Sequence, residues 1–100
     1  MFKYTKHQLK KIESLLEEIG YIIRYERGNF QSGYAIVEDR KIAVINKFFD
    51  TEARINSLFD IISNIEIDES QLEEKSLEYY KELTNKVISE RDKSEIENHV

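Results

Sequence analysis

Gly33-Tyr34-Ala35-Ile36-Val37-Glu38-Asp39-Arg40-Lys41-Ile42-Ala43-Val44-Ile45-Asn46 decides the fold. Two β-branched, aromatic-tinged runs flank the charged break Asp39-Arg40, which is the pattern of paired strands around a tight connection. Upstream, Tyr21-Ile22-Ile23-Arg24-Tyr25-Glu26-Arg27 is a further strand, ended by Gly28-Asn29. Short loops make consecutive strands antiparallel neighbours, so 21–46 reads as a three-stranded antiparallel meander. Strands 2 and 3 are apolar on both faces: Tyr34, Ile36, Ile42 and Val44 against Ala35, Val37, Ala43 and Ile45. Such a sheet needs cover on both sides, from helices or from another subunit.

Helices bracket the sheet. Thr5-Lys6-His7-Gln8 fits a capping box, and Leu9, Ile12, Leu15, Leu16 and Ile19 follow at helical spacing. Gly20 stands where a left-handed C-terminal residue belongs, so the first helix spans 6–19. Asp50 or Thr51 caps a second helix over 51–64, with Ile55, Leu58, Phe59, Ile62 and Ile65 on one face and Ile61 widening it. Asp68-Glu69-Ser70-Gln71 offers another capping box, and Leu72, Leu77, Tyr80, Leu83, Val87 and Ile88 mark a long third helix over 70–91. At about 1.5 Å per residue it would reach roughly 30 Å, the span of a small domain. Residues 92–100 read as a frayed, charged tail. The fold class is therefore α+β in one domain, as 100 residues require.

Composition narrows the function classes. The chain is 40% apolar and 35% charged, with net charge −5. Residues 1–67 balance ten acids against ten bases, so the excess lies in 68–100. An acidic balance argues against general nucleic-acid binding, where lysine and arginine supply most of the affinity. The local cluster Lys3, Lys6, Lys10 and Lys11, followed by Glu13, Glu17 and Glu18, reads as a solvated helix face. There is no cysteine, hence no disulfide, thiolate metal site or cysteine nucleophile. No stretch resembles a secretory leader or approaches the ~18 apolar residues of a membrane span, so the cytoplasm is the expected compartment. Fourteen isoleucines and no proline fit a bacterial, AT-rich coding bias.

Catalytic motifs are absent. No HExxH, GxSxG, P-loop or GxGxxG occurs, and His7 and His99 read as surface histidines. Gly28-Asn29-Phe30-Gln31-Ser32-Gly33 joins two strands and reads as a hairpin turn, not a phosphate cradle. Glu17-Glu18, Glu73-Glu74 and Glu95-Glu97 lie on exposed helix faces, where they read as solvated. Tyr21, Tyr25, Phe30 and Tyr34 could stack bases, yet only Arg24 and Arg27 accompany them, so they read as core or interface aromatics. The richest polar group is the strand–helix junction: Asn46, Asp50, Arg54, Asn56 and Asp60. It is either a ligand or docking cluster, or a lock in which Asp50 caps the helix and an Arg54 salt bridge ties helix to strand.

Ser32-Gly33-Tyr34 through Val44-Ile45-Asn46, then Arg54 and an apolar helix, resembles the N-terminal part of the IrrE/ImmA-type zinc peptidase-like domains. The resemblance implies a helix, a small antiparallel sheet ending in an Ile/Val-Asn pair, and an arginine opening the helix that bears HExxH. With Arg54 on that arginine, the ligand and base positions fall on Phe59, Asp60 and Ser63. Phe59 and Ser63 cannot hold zinc, so the resemblance implies a relative whose old cleft became core or docking surface. The chain as a whole also resembles other short bacterial proteins.

The reading these residues favour is a non-enzymatic interaction or scaffold protein, a homodimer joined through the third helix (Leu77, Tyr80, Leu83, Val87), the exposed sheet face, or both. No cofactor or metal is expected. A ligand-binding or hydrolytic domain with a cleft between strand 3 and the second helix is the rival, Arg54 binding an anion and Asp60 acting as base. A regulator touching nucleic acid through helix 1 is the third reading.

Overall fold

The computed structural model describes residues 2–28 and 33–88, without the side chains of 86–88. Helix α1 spans Lys6–Glu18, strands β1, β2 and β3 span Ile22–Glu26, Tyr34–Val37 and Ile42–Asn46, and helices α2 and α3 span Thr51–Asn64 and Glu74–Glu82. The class is α+β, with helices on one face of a three-stranded sheet.

The ends of α1 follow from local chemistry. The Thr5 hydroxyl accepts from the Gln8 amide at 3.1 Å. At the other end Gly20 takes φ 94°, which lets its amide reach the Glu17 carbonyl and the Tyr21 amide reach the Leu16 carbonyl. That pair of bonds is a Schellman stop. The Lys41 ammonium adds a bond to the Ile19 carbonyl at 3.1 Å, a cation at a helix C-terminus.

The sheet is mixed, not an antiparallel meander. Its order is β1-β3-β2, with β3 parallel to β1 and antiparallel to β2. Strand polarity explains the order. β3 carries Ala43 and Ile45, both fully buried, and takes the centre. β1 carries Arg24 and Glu26, charges that suit an edge, and β2 has only four residues. Parallel partners need a crossover of a dozen or more residues, and residues 27–41, which contain β2, provide it. The expected hairpin turn at Gly28–Gly33 thus joins strands that are not neighbours, and residues 29–32 themselves lie outside the described part.

The β2–β3 hairpin is present. Its connection is a 3-10 turn over Glu38–Arg40 followed by Lys41 in the left-handed region at φ 51°. That four-residue connection sets the register Val37↔Ile42, Ile36↔Ala43, Ala35↔Val44 and Tyr34↔Ile45. Tyr34 and Ile36 therefore share a face with Ala43 and Ile45, and Ala35 and Val37 share one with Ile42 and Val44. This differs from the grouping expected from the sequence, because an even connection pairs residues of opposite parity.

The core lies between the sheet and the helices. Leu9, Ile12, Leu15 and Leu16 of α1 meet Ile55, Leu58, Phe59, Ile61 and Ile62 of α2 over Ala43 and Ile45. Phe2 closes one end, its ring edge-on to Phe59 at 5.2 Å. Buried Ser57 donates to the Ala53 carbonyl at 2.9 Å, so its hydroxyl is satisfied.

The third helix is short. Asp68 Oδ1 accepts from both the amide (3.0 Å) and the hydroxyl (2.6 Å) of Ser70, which stabilises a 3-10 turn at Glu69–Gln71 instead of opening a helix. Leu72 then stays extended and buries its side chain, and α3 starts at Glu74. Nine residues give about 13 Å, less than half the expected length. Leu83–Ile88 continues with wider, i→i+5 turns. Residues 89–91 and the tail 92–100 lie outside the described part.

α3 folds onto its own chain. Tyr79 and Leu83 are buried in the common core, and Tyr79 donates to Gln8 Oε1 at 2.6 Å. Glu18, expected to be solvated, instead accepts from the Glu73 amide at 2.8 Å and from the Ser76 hydroxyl. A carboxylate from α1 thereby serves the start of α3, where Glu73 makes no capping bond of its own.

Candidate functional site

The strand–helix junction is held by its own polar groups. β3 ends at Asn46, whose Oδ1 accepts from the Phe48 amide at 2.9 Å and turns the chain. Asp50 Oδ1 accepts from the Ala53 amide at 2.9 Å and caps α2. Arg54, one turn into α2, donates through Nε to the Phe49 carbonyl at 3.0 Å and through a terminal nitrogen to the Lys47 carbonyl at 2.8 Å. Its guanidinium also lies over the Tyr25 ring, 4.3 Å from the centroid. Tyr25 in turn donates to Glu13. A single chain of contacts thus runs from α1 through β1 to the β3–α2 turn.

Burial and the Glu13 carboxylate push the Tyr25 hydroxyl well above its usual range, with Arg54 opposing in part. The arrangement keeps a neutral phenol donating to Glu13 beneath a fixed cation. The guanidinium itself meets backbone carbonyls and a ring.

The remaining members of the junction cluster do not converge on this point. Asn56 Oδ1 faces Tyr4, whose hydroxyl lies 3.4 Å away. Asp60 is half-buried in the third turn of α2, and its backbone carbonyl accepts from Asn64 Nδ2 at 2.8 Å. Phe59 is fully buried, and Ser63 donates to the Phe59 carbonyl at 2.9 Å. Among the described residues no three histidine, cysteine, aspartate or glutamate side chains gather where a metal could be held.

Of the third-helix residues singled out from the sequence, Leu83 is 2% exposed and belongs to the chain's own core. Leu77 and Tyr80 are half-buried against that core, and the side chain of Val87 lies outside the described part. Tyr21 is buried and Tyr25 and Tyr34 pack on the core, so these rings form no open stacking platform.

The opposite face of the sheet is different. All three helices contribute to the core on the face of Ala43 and Ile45. The other face presents, in register, the row Ile22–Ile42–Val37 and beside it Arg24–Val44–Ala35. Ile22 is 52% exposed and Val37 40%, while Ile42, Val44 and Ala35 are half-buried. Arg24 pairs with Glu26 at 3.7 Å along the same strand, leaving the border with one cation and one anion. Beyond the end of β3, Phe48 is 67% exposed between the cations of Lys47 and Arg27, 5.4 and 5.5 Å from its centroid.

The row Ile22–Ile42–Val37 cannot be read from the sequence without the parallel β1–β3 register. The available signal was the apolar character of both faces of strands 2 and 3. Ile22 reads as an ordinary strand residue until β1 is known to lie beside β3.

Among the described residues no helix is long and apolar enough to cross a membrane. No protein-family model, curated protein or solved structure matches the chain.

Proposed function

We propose that the protein is a non-enzymatic interaction module that acts by contact, and that its first partner is a second copy of itself, met through the outer face of the sheet. The observation that carries this reading is the row Ile22–Ile42–Val37, with both ends about half-exposed on a face that no described helix covers. A second copy is the occupant that suits this face. It brings the same apolar row and, at the border, both members of the Arg24–Glu26 pair. A two-fold contact sets each arginine within reach of the other copy's glutamate, so charges can exchange partners across the interface. Exposed ion pairs are worth only about 0–1 kcal/mol, so opening the pair within one chain costs little.

The junction supports a structural role in the same reading. Arg54 is occupied by two carbonyls and a ring, and Asp50 by a helix cap, so these two groups already serve the fold. On this reading the helix that the resemblance would give to a metal site is given over to core at Phe59.

The test is the molar mass by light scattering of the full chain and of the double variant Ile22→Lys/Val37→Lys. The parent should weigh twice 11.9 kDa at high micromolar concentration and the variant once that value, with the circular dichroism spectrum unchanged. Each lysine replaces an exposed side chain, so folding is spared. A monomeric parent, or a variant that dimerises as well as the parent, overturns the reading.

A further inference from the structure

The groove between α1 and α3 runs against the charge of the chain. The net charge is −5, yet the groove is lined by His7, Lys10, Lys11 and Ser14 from α1 and by Lys75, Ser76 and Tyr79 from α3, with no carboxylate in the lining. The α1 residues stand at i, i+3, i+4 and i+7, one stripe of the helix. Docking of α3 brings Lys75 to the facing wall. Lys75 stands 64 residues from Lys11 along the chain, so the sequence alone shows only the α1 lysines followed by Glu13, Glu17 and Glu18, the pattern of a solvated face.

The groove is open and holds about 350 Å³, within the range of small-ligand sites. One wall is fixed in advance. The Tyr79 hydroxyl is tied to Gln8, and the Lys11 ammonium sits 4.1 Å from the Tyr79 ring centroid. Glu18, whose carboxylate accepts from the lining residue Ser76, has its other oxygen on the Glu73 amide. Three lysines brought together across two helices repel one another, and an anion between them relieves that repulsion.

We propose that this groove binds a compact oligophosphate, a pyrophosphate unit either free or at the end of a nucleotide. A single small anion would leave lysine charge uncompensated. A single phosphoryl group carries about −1.5 to −2, and two linked phosphates carry more, closer to the charge of three lysines with His7 beside them. Lysines suit this role as mobile point charges that donate to several phosphate oxygens. The groove lies among the helices and uses no residue of the outer sheet face, so the proposal stands independently of self-association.

Titration calorimetry of the full chain with pyrophosphate and with ATP, at low and at physiological salt, tests it. Pyrophosphate should bind once per chain, weaken as salt rises, and shift the amide resonances of His7, Lys10, Lys11 and Lys75. Lys10→Gln/Lys75→Gln should weaken binding at least tenfold, while Lys47→Gln, outside the groove, should leave it unchanged. Equal affinity for the two ligands identifies the phosphates as the recognised group, and tighter ATP binding identifies a nucleotide tail. Pyrophosphate heats no larger than those of sulfate at matched ionic strength overturn the proposal. So does binding that survives in the Lys10/Lys75 variant, or an oligonucleotide that binds where pyrophosphate does not.

Discussion

Gly33 has no room for a side chain. Its φ is 83°, and a Cβ there would stand 2.2 Å from Cζ of the Phe49 ring. Left-handed strain costs about 1–2 kcal/mol and overpacking about 1–3 kcal/mol, so Gly33→Ala should destabilise the fold by roughly 2–5 kcal/mol, read as a lowered denaturant midpoint. Arg54→Met keeps much of the stem but removes both carbonyl contacts and the charge over Tyr25. It should cost about 1–3 kcal/mol of stability and leave pyrophosphate binding unchanged, since Arg54 is not part of the α1–α3 groove. A parent-like melting temperature for that variant would contradict the lock. At this scale the sequence was informative about chemistry: Thr5, Gly20 and Asp50 act as their residue types demand. It was less informative about partners, because carbonyls that accept from an arginine carry no mark in the sequence.

At the scale of elements, the docking of α3 rests on polar groups as well as on Leu72, Tyr79 and Leu83. Burial, with Glu82 nearby, raises the Tyr79 hydroxyl to about 12 from its ordinary value of 10.0. The folded state therefore holds that proton more tightly than the unfolded chain. The stabilising effect is complete below pH 10 and is lost as pH rises toward 12, and Tyr25 adds to the loss in the same direction. Urea midpoints should fall across pH 10–12, and Tyr79→Phe should flatten that fall while lowering the baseline through loss of the Gln8 contact. A slope unchanged in Tyr79→Phe would contradict it. The short α3 was hidden because Asp68-Glu69-Ser70-Gln71 satisfies the capping pattern while the Asp68–Ser70 pair closes a 3-10 turn instead. The rule for cap residues and the rule for tight turns use the same side chains, and burial of Leu72 decided between them.

At the scale of the whole molecule, the α+β class, the three helices and the β2–β3 hairpin were legible from periodicity and turn residues. Strand order was not. Sequence adjacency favours a meander, whereas Arg24 and Glu26 move β1 to an edge and the apolar run of β3 takes the centre. That single exchange also builds the proposed contact surface, since it sets Ile22 beside Ile42 and Val37 beyond it. With the third helix spent largely on its own core, the sheet face is the surface through which contact is best supported. Covering a half-exposed isoleucine or valine contributes on the order of 1 kcal/mol in each copy, so each lysine substitution, present on both sides of a two-fold contact, should weaken self-association about tenfold or more.

The most direct measurement is an isotope-filtered NMR experiment on a mixture of labelled and unlabelled full-length chains at high concentration. The account predicts intermolecular contacts among the methyl groups of Ile22, Val37 and Ile42. Intermolecular contacts confined to Leu77 and Tyr80 of α3, or none at all, would contradict it.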